Sequence, residues 1–237
     1  MEQALPKVLG ILGGLGPMAT VYFYEMLTRH TQAARDQDHI DVIINSRATT
    51  PDRTSYILGQ SAENPFDIMA ADAARLVTFG ADVIAIPCNT SHYFADRLQG
   101  DIAIPLIHMP RETVAALAAD GKKRAGILAT DGTVRTGIYQ RECAGQGVEA
   151  VVPGPQAQAL TMSIIYDEIK RGESGSREKF AAIDRDLRSR GCDGAILACT
   201  ELSVYKEYHG VSELYLDAMD VLAEESIRAC GYPLRSV

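Results

Sequence analysis

Two short apolar runs, each leading to a cysteine, most constrain how this chain can fold. Residues 82–86 lead through Pro87 to Cys88, and residues 193–198 lead directly to Cys199. Short apolar runs that follow amphipathic stretches are typical of buried parallel strands. Both cysteines are therefore predicted at the carboxyl ends of strands, which is the edge where open α/β sheets bind ligands.

A cysteine in this position can serve either chemistry or packing. Free cysteine is often buried as a small apolar residue, and that explanation fits each of the two cysteines taken alone. The residues that follow, Asn89 and Thr90 in one copy and Thr200 and Glu201 in the other, suit a turn into a helix. Because a helix amino terminus stabilises a thiolate, the matched pair favours reactive thiols. Glu201 could tune the thiol of Cys199 or could be an exposed residue at a helix start.

The order of the predicted elements indicates an α/β fold whose plan occurs twice. Strands are predicted at residues 7–12, 41–44, 82–86, 102–107, 124–129, 148–152, 193–198 and 214–216. Helices are predicted at residues 17–35, 65–79, from about 93, 111–119, from about 134 to 145, 156–171, 176–190 and 217–230. The segment Ile11–Gly13 aligns with Ile127–Ala129 at nearly the separation that joins the two cysteines, which favours two similar halves over a solenoid.

We therefore predict two parallel-sheet α/β domains related by pseudo-twofold symmetry, with the active site in the cleft between them. The first domain comprises residues 1–113 and 217–237, and the second comprises residues 114–216. In such an arrangement Cys88 and Cys199 would approach one small molecule from opposite sides. A thiolate on one side could remove a proton while a thiol on the other side donates one, so the pair could invert a carbon centre.

Composition narrows the range of partners. The chain has 237 residues, a formal net charge of −8 and no basic cluster beyond residues 122–124, which argues against nucleic acid and against an acidic membrane surface. No stretch reaches the length of a membrane helix. The five cysteines include no CxxC pair and fit a reducing compartment, so we expect a cytoplasmic protein in which Cys143, Cys192 and Cys230 are structural. The run from Lys7 is predicted as a first strand and not as a signal peptide.

The sequence favours neither a dinucleotide site nor a zinc site. Gly14, Gly16 and Ala19 formally satisfy a dinucleotide-binding pattern, but the next strand ends in Asn45 where an acidic residue would be needed. Close approach of the backbone to a small anion explains these glycines equally well. A zinc site with His92 matches no standard ligand spacing, and His92 is expected on a helix surface. We therefore predict no metal and no cofactor.

Four motifs carry a resemblance to a known family. They are Ile11-Leu-Gly-Gly-Leu-Gly-Pro-Met-Ala-Thr20, Pro51-Asp-Arg-Thr54, Pro87-Cys-Asn-Thr90 and Cys199-Thr-Glu201. Together they resemble the cofactor-independent aspartate racemases of the aspartate/glutamate racemase family, and the resemblance covers essentially the whole chain. It implies an isomerase that interconverts L- and D-aspartate without pyridoxal phosphate or metal.

The resemblance also implies roles for individual residues. Cys88 and Cys199 would be the two catalytic bases. The expected substrate-binding residues are Gly14, Arg53, Asn89, Thr90, Thr130, Lys170 and Thr200. Among them, Arg53 and Lys170 match the residues that hold the side-chain carboxylate in aspartate racemases. We expect an acidic amino acid as substrate and a homodimer as the assembly.

The sequence leaves other activities open. Leu15, Ser91, Ala198 and Asp131 differ from the residues usual in the family, and Asp131 would add negative charge near the substrate. A glutamate racemase or a racemase of broader specificity is one alternative. Others are an isomerase or decarboxylase of the same fold and a protein that only binds small acids.

Overall fold

The computed structural model describes residues 6–236, and within them each strand is followed by one or more helices. The strands are β1 (Leu9–Gly13), β2 (Val42–Ser46), β3 (Val83–Ala85), β4 (Arg124–Ala129), β5 (Glu149–Val151), β6 (Gly194–Ala198) and β7 (Tyr215–Asp217). The α-helices are α1 (Pro17–His30), α2 (Arg53–Ile57), α3 (Phe66–Thr78), α4 (Ala95–Asp101), α5 (Met109–Ala119), α6 (Asp131–Thr136), α7 (Ile138–Gly145), α8 (Pro155–Ser163), α9 (Arg177–Ser189), α10 (Thr200–His209) and α11 (Ala218–Ala229). Short 3₁₀ segments occupy Asp36–Asp38, Thr90–Phe94 and Ile169–Arg171, and a π-helical turn occupies Ile164–Glu168.

The described residues form two compact units, each built on its own parallel sheet. Unit 1 contains residues 6–52, 63–109 and 219–236, and unit 2 contains residues 53–62 and 110–218. The sequence analysis had assigned residues 53–62 to the first domain, whereas the structure groups them with the second. Helix α2 contacts α6 of unit 2, where a Cβ added to Gly132 would lie only 2.9 Å from the Cα of Thr54.

The first three strands have the same order in the two sheets, and the second sheet has a fourth strand at one edge. In unit 1 the order is β2-β1-β3, and in unit 2 it is β5-β4-β6-β7, with all named pairs parallel. The first strand of each sheet is central, the second lies on one side and the third on the other. β3 and β6 are therefore equivalent strands, and each leads to one of the two cysteines. The prediction of two similar α/β domains, each with a parallel sheet, is confirmed.

Burial explains why these runs form central strands. Every residue of β1, β3 and β6 is buried, as expected for strands covered by helices on both faces. In unit 2 the core around β6 is completed by apolar residues of α8, α9 and α10 and of the π-helical turn. The apolar face of α9 contributes Phe180, Ile183 and Leu187, which are buried.

Several predicted elements differ in the structure. The helix predicted from about 134 to 145 is two helices, α6 and α7, divided at Gly137. The strand predicted at 102–107 is reduced to a single parallel bridge between Ile84 and Leu106, because Pro105 has no N–H to extend the ladder. The helix predicted at 156–171 leaves α-helical geometry after Ser163. The first helix ends at His30, five residues before the predicted end. No helix in the described part of the chain is long and apolar enough to cross a membrane.

Candidate active site

Cys88 lies just beyond β3 in a tight turn of unit 1. The N–H of Cys88 donates to the carbonyl of Ile86 at 2.7 Å, which makes Pro87 the centre of a three-residue turn. The chain then enters the 3₁₀ segment Thr90–Phe94. Cys88, Asn89 and Thr90 are all buried. The structure thus places these three predicted site residues side by side at the carboxyl edge of the first sheet.

His92 fixes the backbone around Cys88. Its Nδ1 donates to the carbonyl of Cys88 at 2.9 Å, while its Nε2 accepts from the N–H of Met109 at 3.2 Å. This pattern requires the neutral tautomer with the proton on Nδ1. The pKa of His92 is lowered to about 4. Burial is the largest cause, and electrostatic repulsion by His108 is the second. The expectation that His92 lies on a helix surface is wrong: only 2% of the residue is exposed.

Gly14 lies at the same edge of the first sheet, directly after β1. Its φ of +82° and its packing both require glycine, because an added Cβ would lie 2.3 Å from the backbone N of Arg47. The N–H of Gly14 donates to Thr20 Oγ1 at 2.9 Å. The Arg47 side chain in turn forms a two-pronged ion pair with buried Asp72, with nitrogen–oxygen distances of 2.6 and 2.8 Å. These contacts fix the glycine-rich turn, whatever binds beside it.

Cys199 occupies the equivalent position in unit 2. It immediately follows β6 and precedes α10, so it is the residue at the helix amino terminus. Ala198, the last residue of β6, pairs with Ala129, the last residue of β4. Thr130 and Cys199 therefore leave neighbouring strands at the same level of the sheet. Thr200 follows Cys199 into the first turn of α10 and is also buried.

Glu201 contacts Cys199 directly and is buried. The thiol of Cys199 donates to Glu201 Oε2 at 3.0 Å, and Thr200 Oγ1 donates to the same oxygen at 3.3 Å. The other carboxylate oxygen, Oε1, pairs with Lys170 Nζ. Only 8% of Glu201 is exposed, which excludes the interpretation of an exposed glutamate at a helix start. Lys170, Glu201 and Cys199 thus form one connected chain of polar groups.

Burial and neighbouring charges shift the pKa values of these three groups in different directions. Burial and the Glu201 carboxylate raise the pKa of Cys199 well above its ordinary value, against the attraction of Lys170. Burial alone would raise the pKa of Glu201, but the Lys170 cation and the hydrogen bonds outweigh burial and lower it. Burial would lower the pKa of Lys170, and its contacts with Glu201 outweigh that effect and raise it. These directions make Cys199 a thiol beside an ionised pair of Glu201 and Lys170.

Lys170 reaches Glu201 because the polypeptide leaves regular helix geometry. The π-helical turn Ile164–Glu168 and the following 3₁₀ turn replace what would be the end of a continuous helix. Such π-helical turns occur frequently at functional sites. The turn is held by Glu168, which accepts from the N–H of Ser176 at 2.7 Å and pairs with Lys179 Nζ at 2.5 Å.

Arg53 and Thr130 are brought close to each other within unit 2. Arg53 begins α2, and the next residue, Thr54, places its hydroxyl 3.4 Å from Thr130 Oγ1. Thr130 caps α6 by accepting from the N–H of Thr133 at 3.2 Å. Asp131 is held by Gln158, whose Nε2 donates to Asp131 Oδ1 at 2.8 Å and to the Ala129 carbonyl at 3.0 Å.

The remaining cysteines are buried, as expected for structural residues. Burial raises the pKa of Cys143 and of Cys230 to about 11 and also raises the pKa of Cys192. No group of three or more His, Cys, Asp or Glu side chains is arranged to hold a metal ion among residues 6–236.

Comparison with known proteins identifies the family. The family model described as Asp/Glu/hydantoin racemase matches residues 12–225 of this chain. The chain belongs to this racemase family.

Two similar proteins span almost its full length. The broad specificity amino-acid racemase RacX of Bacillus subtilis is 28% identical over 231 residues, which cover 93% of this chain and 96% of that protein. The structure of the Picrophilus torridus aspartate racemase matches with a TM-score of 0.81 and 28% identity, and covers 97% of this chain and 96% of the other. A glutamate racemase from Campylobacter jejuni, at 17% identity and a TM-score of 0.61 over 97% of this chain and 88% of the other, shares the fold.

Two features of this racemase-family protein were missed or left undecided by the sequence analysis. One is the hydrogen bond from His92 to the backbone of Cys88, whose signal was the four-residue spacing, compatible with a helical turn. The other is the contact of Glu201 with both Cys199 and Lys170. The position of Glu201 two residues after Cys199 indicated a possible contact with the thiol. The partner Lys170 lies on a segment whose irregular turn the sequence did not predict.

Proposed function

We propose that the protein is an amino-acid racemase that acts on aspartate, uses Cys88 and Cys199 as its two bases and needs no pyridoxal phosphate or metal. The observation that carries this proposal is the equivalence of the two cysteines. They follow equivalent strands, β3 and β6, of two sheets whose first three strands have the same order, and each is followed by buried polar residues. Membership of the racemase family supports the reaction class.

The chemistry needs one thiolate and one thiol. The thiolate removes the hydrogen of Cα as a proton, which leaves the bonding electron pair on the substrate, and the thiol donates its proton to the opposite face of the same carbon. The two sulfurs exchange protonation states, so one turnover consumes no external acid or base. This mechanism requires that both cysteines act on one bound substrate, which is part of the proposal.

Binding of the α-carboxylate is assigned to backbone amides and hydroxyls close to the cysteines. We propose Asn89, Thr90 and Thr200 for this role, with Gly14 and Thr130 at the same strand ends. Preorganised donors of this kind stabilise the carbanion-like transition state. The side-chain carboxylate must also be neutralised when it leaves water, because an unpaired buried anion is costly. Arg53 offers a planar two-pronged donor and Lys170 a point charge for that purpose.

A broader substrate range is the second candidate. Its support is that Lys170 pairs with Glu201, so one of the two cations proposed to bind the side-chain carboxylate also has a partner within the protein. The similarity to a broad specificity amino-acid racemase also favours it. Aspartate, glutamate and neutral amino acids therefore have to be compared directly.

The test is a chiral assay on the purified protein. After dialysis against a chelator, the protein is incubated with single enantiomers of aspartate, glutamate, alanine and serine, and the products are resolved by chiral chromatography. The proposal expects racemisation with aspartate fastest, without added pyridoxal phosphate or metal. Comparable rates for all substrates would establish the broader enzyme instead. Binding without exchange of the Cα hydrogen for solvent deuterium would indicate a protein that only binds small acids.

The proposed setting of the enzyme is a homodimer in the cytoplasm. Helix α1 leaves three large apolar side chains exposed at three-residue spacing, Met18, Val21 and Tyr24, which supports an interface between copies. The five cysteines, all free and buried, support a reducing compartment. Light scattering on the purified protein should give twice the chain mass; a monomeric mass would contradict the dimer.

A further inference from the structure

The contacts of Cys199 point to a role for Glu201 beyond helix stability. The thiol hydrogen of Cys199 is directed at Glu201 Oε2 over 3.0 Å, within the distance of a direct proton transfer. The opposite oxygen of the same carboxylate pairs with Lys170, so the carboxylate lies between a thiol and a cation. All three groups belong to unit 2, and both Cys199 and Glu201 are buried.

We propose that Glu201 is the proton partner of Cys199: it accepts the hydrogen bond of the thiol and receives that proton when Cys199 has to act as a thiolate. This role rests on the proposed racemisation, because only a two-base mechanism requires Cys199 to alternate between thiol and thiolate. Glu201 acts on the substrate through Cys199 and is therefore a positioning residue.

The proton transfer balances within the three groups. The S–H bond of Cys199 breaks, its electron pair stays on sulfur, and the proton forms an O–H bond at Glu201 Oε2. Before the step the trio contains the Lys170 cation, the Glu201 anion and a neutral thiol. After it the trio contains the same cation, a neutral carboxylic acid and a thiolate. The return of the proton to sulfur is the same step in reverse.

Conservation of charge makes this route less costly, in a buried site, than loss of the proton to water. If Cys199 lost its proton to water instead, two anions would lie beside a single cation, and an unpaired buried charge is costly. That repulsion is the physical reason why Glu201 raises the pKa of the Cys199 thiol. The Lys170 cation opposes this effect. Removal of Glu201 should therefore lower the pKa of the Cys199 thiol, and removal of Lys170 should raise it.

A purely structural role for Glu201 makes a different prediction, and unit 2 contains a matched control. Glu168 is also a lysine-paired carboxylate, with its side chain 12% exposed against 11% for Glu201. Its partners are Lys179 and the N–H of Ser176, and neither of them is a thiol. The amide oxygen introduced by Glu168→Gln can still accept from the Ser176 N–H, so this variant keeps the contact that holds the π-helical turn. It removes a carboxylate of the same burial and leaves the Cys199 thiol untouched.

The test measures the ionisation of Cys199 without relying on turnover. The full-length protein and the variants Glu201→Gln, Glu201→Asp, Lys170→Gln and Glu168→Gln are alkylated with iodoacetamide across a pH series, and the peptide that contains Cys199 is quantified by mass spectrometry. In Glu201→Gln, the midpoint for alkylation of Cys199 should fall by about one pH unit or more, which is roughly a tenfold gain in rate below the midpoint. In Lys170→Gln the midpoint should rise. Glu201→Asp and Glu168→Gln should stay close to the wild-type protein.

Turnover supplies the second measurement. The acidic limb of kcat/KM for racemisation should move in Glu201→Gln by the same amount and in the same direction as the alkylation midpoint. Equal midpoints in Glu201→Gln and the wild-type protein, or an equal shift in Glu168→Gln, would overturn the inference. If Glu201→Gln does not fold, the two remaining variants test the inference. The alkylation midpoint of Cys199 should then rise in Lys170→Gln and stay at the wild-type value in Glu201→Asp, and failure of either would overturn the inference. Absence of racemisation in the wild-type protein would refute the proposed function, while the alkylation midpoints would still support or overturn the coupling.

Discussion

Acidification should destabilise the protein through His92, which is buried in its neutral form. The unfolded chain takes up a proton at this residue as the pH falls through 6.5, whereas the folded protein does so only at about pH 4. Between these values the unfolded state binds more protons, so the stability contributed by neutral His92 is present above pH 6.5 and is lost as the pH falls toward 4.

The magnitude follows from the two pKa values. Each pH unit between them removes about 1.4 kcal/mol from the free energy of unfolding, so lowering the pH from 7.5 to 5.0 should remove about 2 kcal/mol through this single residue. His108 lies edge-on to the ring at a centroid distance of 5.4 Å, and its electrostatic effect also lowers the pKa of His92.

The assay compares the wild-type protein with His92→Gln, which cannot titrate in this range. Equilibrium urea unfolding is followed by far-UV circular dichroism at pH 7.5 and at pH 5.0. At pH 7.5 the variant should be less stable by about 1–3 kcal/mol, because the hydrogen bonds to the Cys88 carbonyl and from the Met109 N–H are weakened or lost. At pH 5.0 most of this difference should disappear. The same loss of stability between the two pH values in both proteins would refute the reasoning.

Three further predictions concern the glycine-rich turn, the Cys88 segment and substrate selection. Gly14→Ala should destabilise unit 1 far more than Gly80→Ala, which should cost only about 1 kcal/mol, because both glycines have positive φ but only Gly14 meets backbone atoms; similar melting temperatures for the two variants would contradict this. Ser91→Ala should be neutral or stabilise by about 1 kcal/mol in urea unfolding, because the buried Ser91 hydroxyl has no hydrogen-bond partner among residues 6–236, and a clear destabilisation would show that the hydroxyl does have one. Arg53→Ala should lower kcat/KM for aspartate by roughly a hundredfold and leave any slow alanine turnover nearly unchanged; equal losses on both substrates would show that Arg53 does not read the side chain.

Much of the architecture could be predicted because it depends on local pattern. Apolar runs such as the one before Cys199 identify central strands, and polar residues after them mark the edge where ligands bind. The repeated context of Cys88 and Cys199 was visible because equivalent strands of two similar sheets need similar sequences. The prediction of a full strand at 102–107 was wrong because Pro105 lacks a backbone N–H donor. The hydropathy pattern does not depend on that donor.

The rest depends on contacts between distant segments. Residues 53–62 follow a segment of unit 1 along the chain but belong to unit 2, where α2 packs on α6. No local sequence pattern predicts that assignment. Burial of Glu201 could not be predicted, because a glutamate in the first turn of a helix is usually exposed. Its contact with Lys170 depends on the π-helical turn at 164–168, where the sequence favoured a continuous helix. Substrate roles for Gly14, Thr130 and the other proposed residues stay predictions.

The most direct test of the two-cysteine mechanism uses Cys88→Ala and Cys199→Ala, with Cys143→Ala as the control for loss of a buried thiol. Each protein is incubated with L-aspartate and, separately, with D-aspartate in deuterium oxide, and both inversion and deuterium at Cα are measured by chiral chromatography with mass spectrometry. The wild-type protein and Cys143→Ala should invert both enantiomers with deuterium in the product. Each of the other two variants should give no inverted product, because one base cannot serve both faces of the carbon. Substantial inversion by both Cys88→Ala and Cys199→Ala would contradict the mechanism.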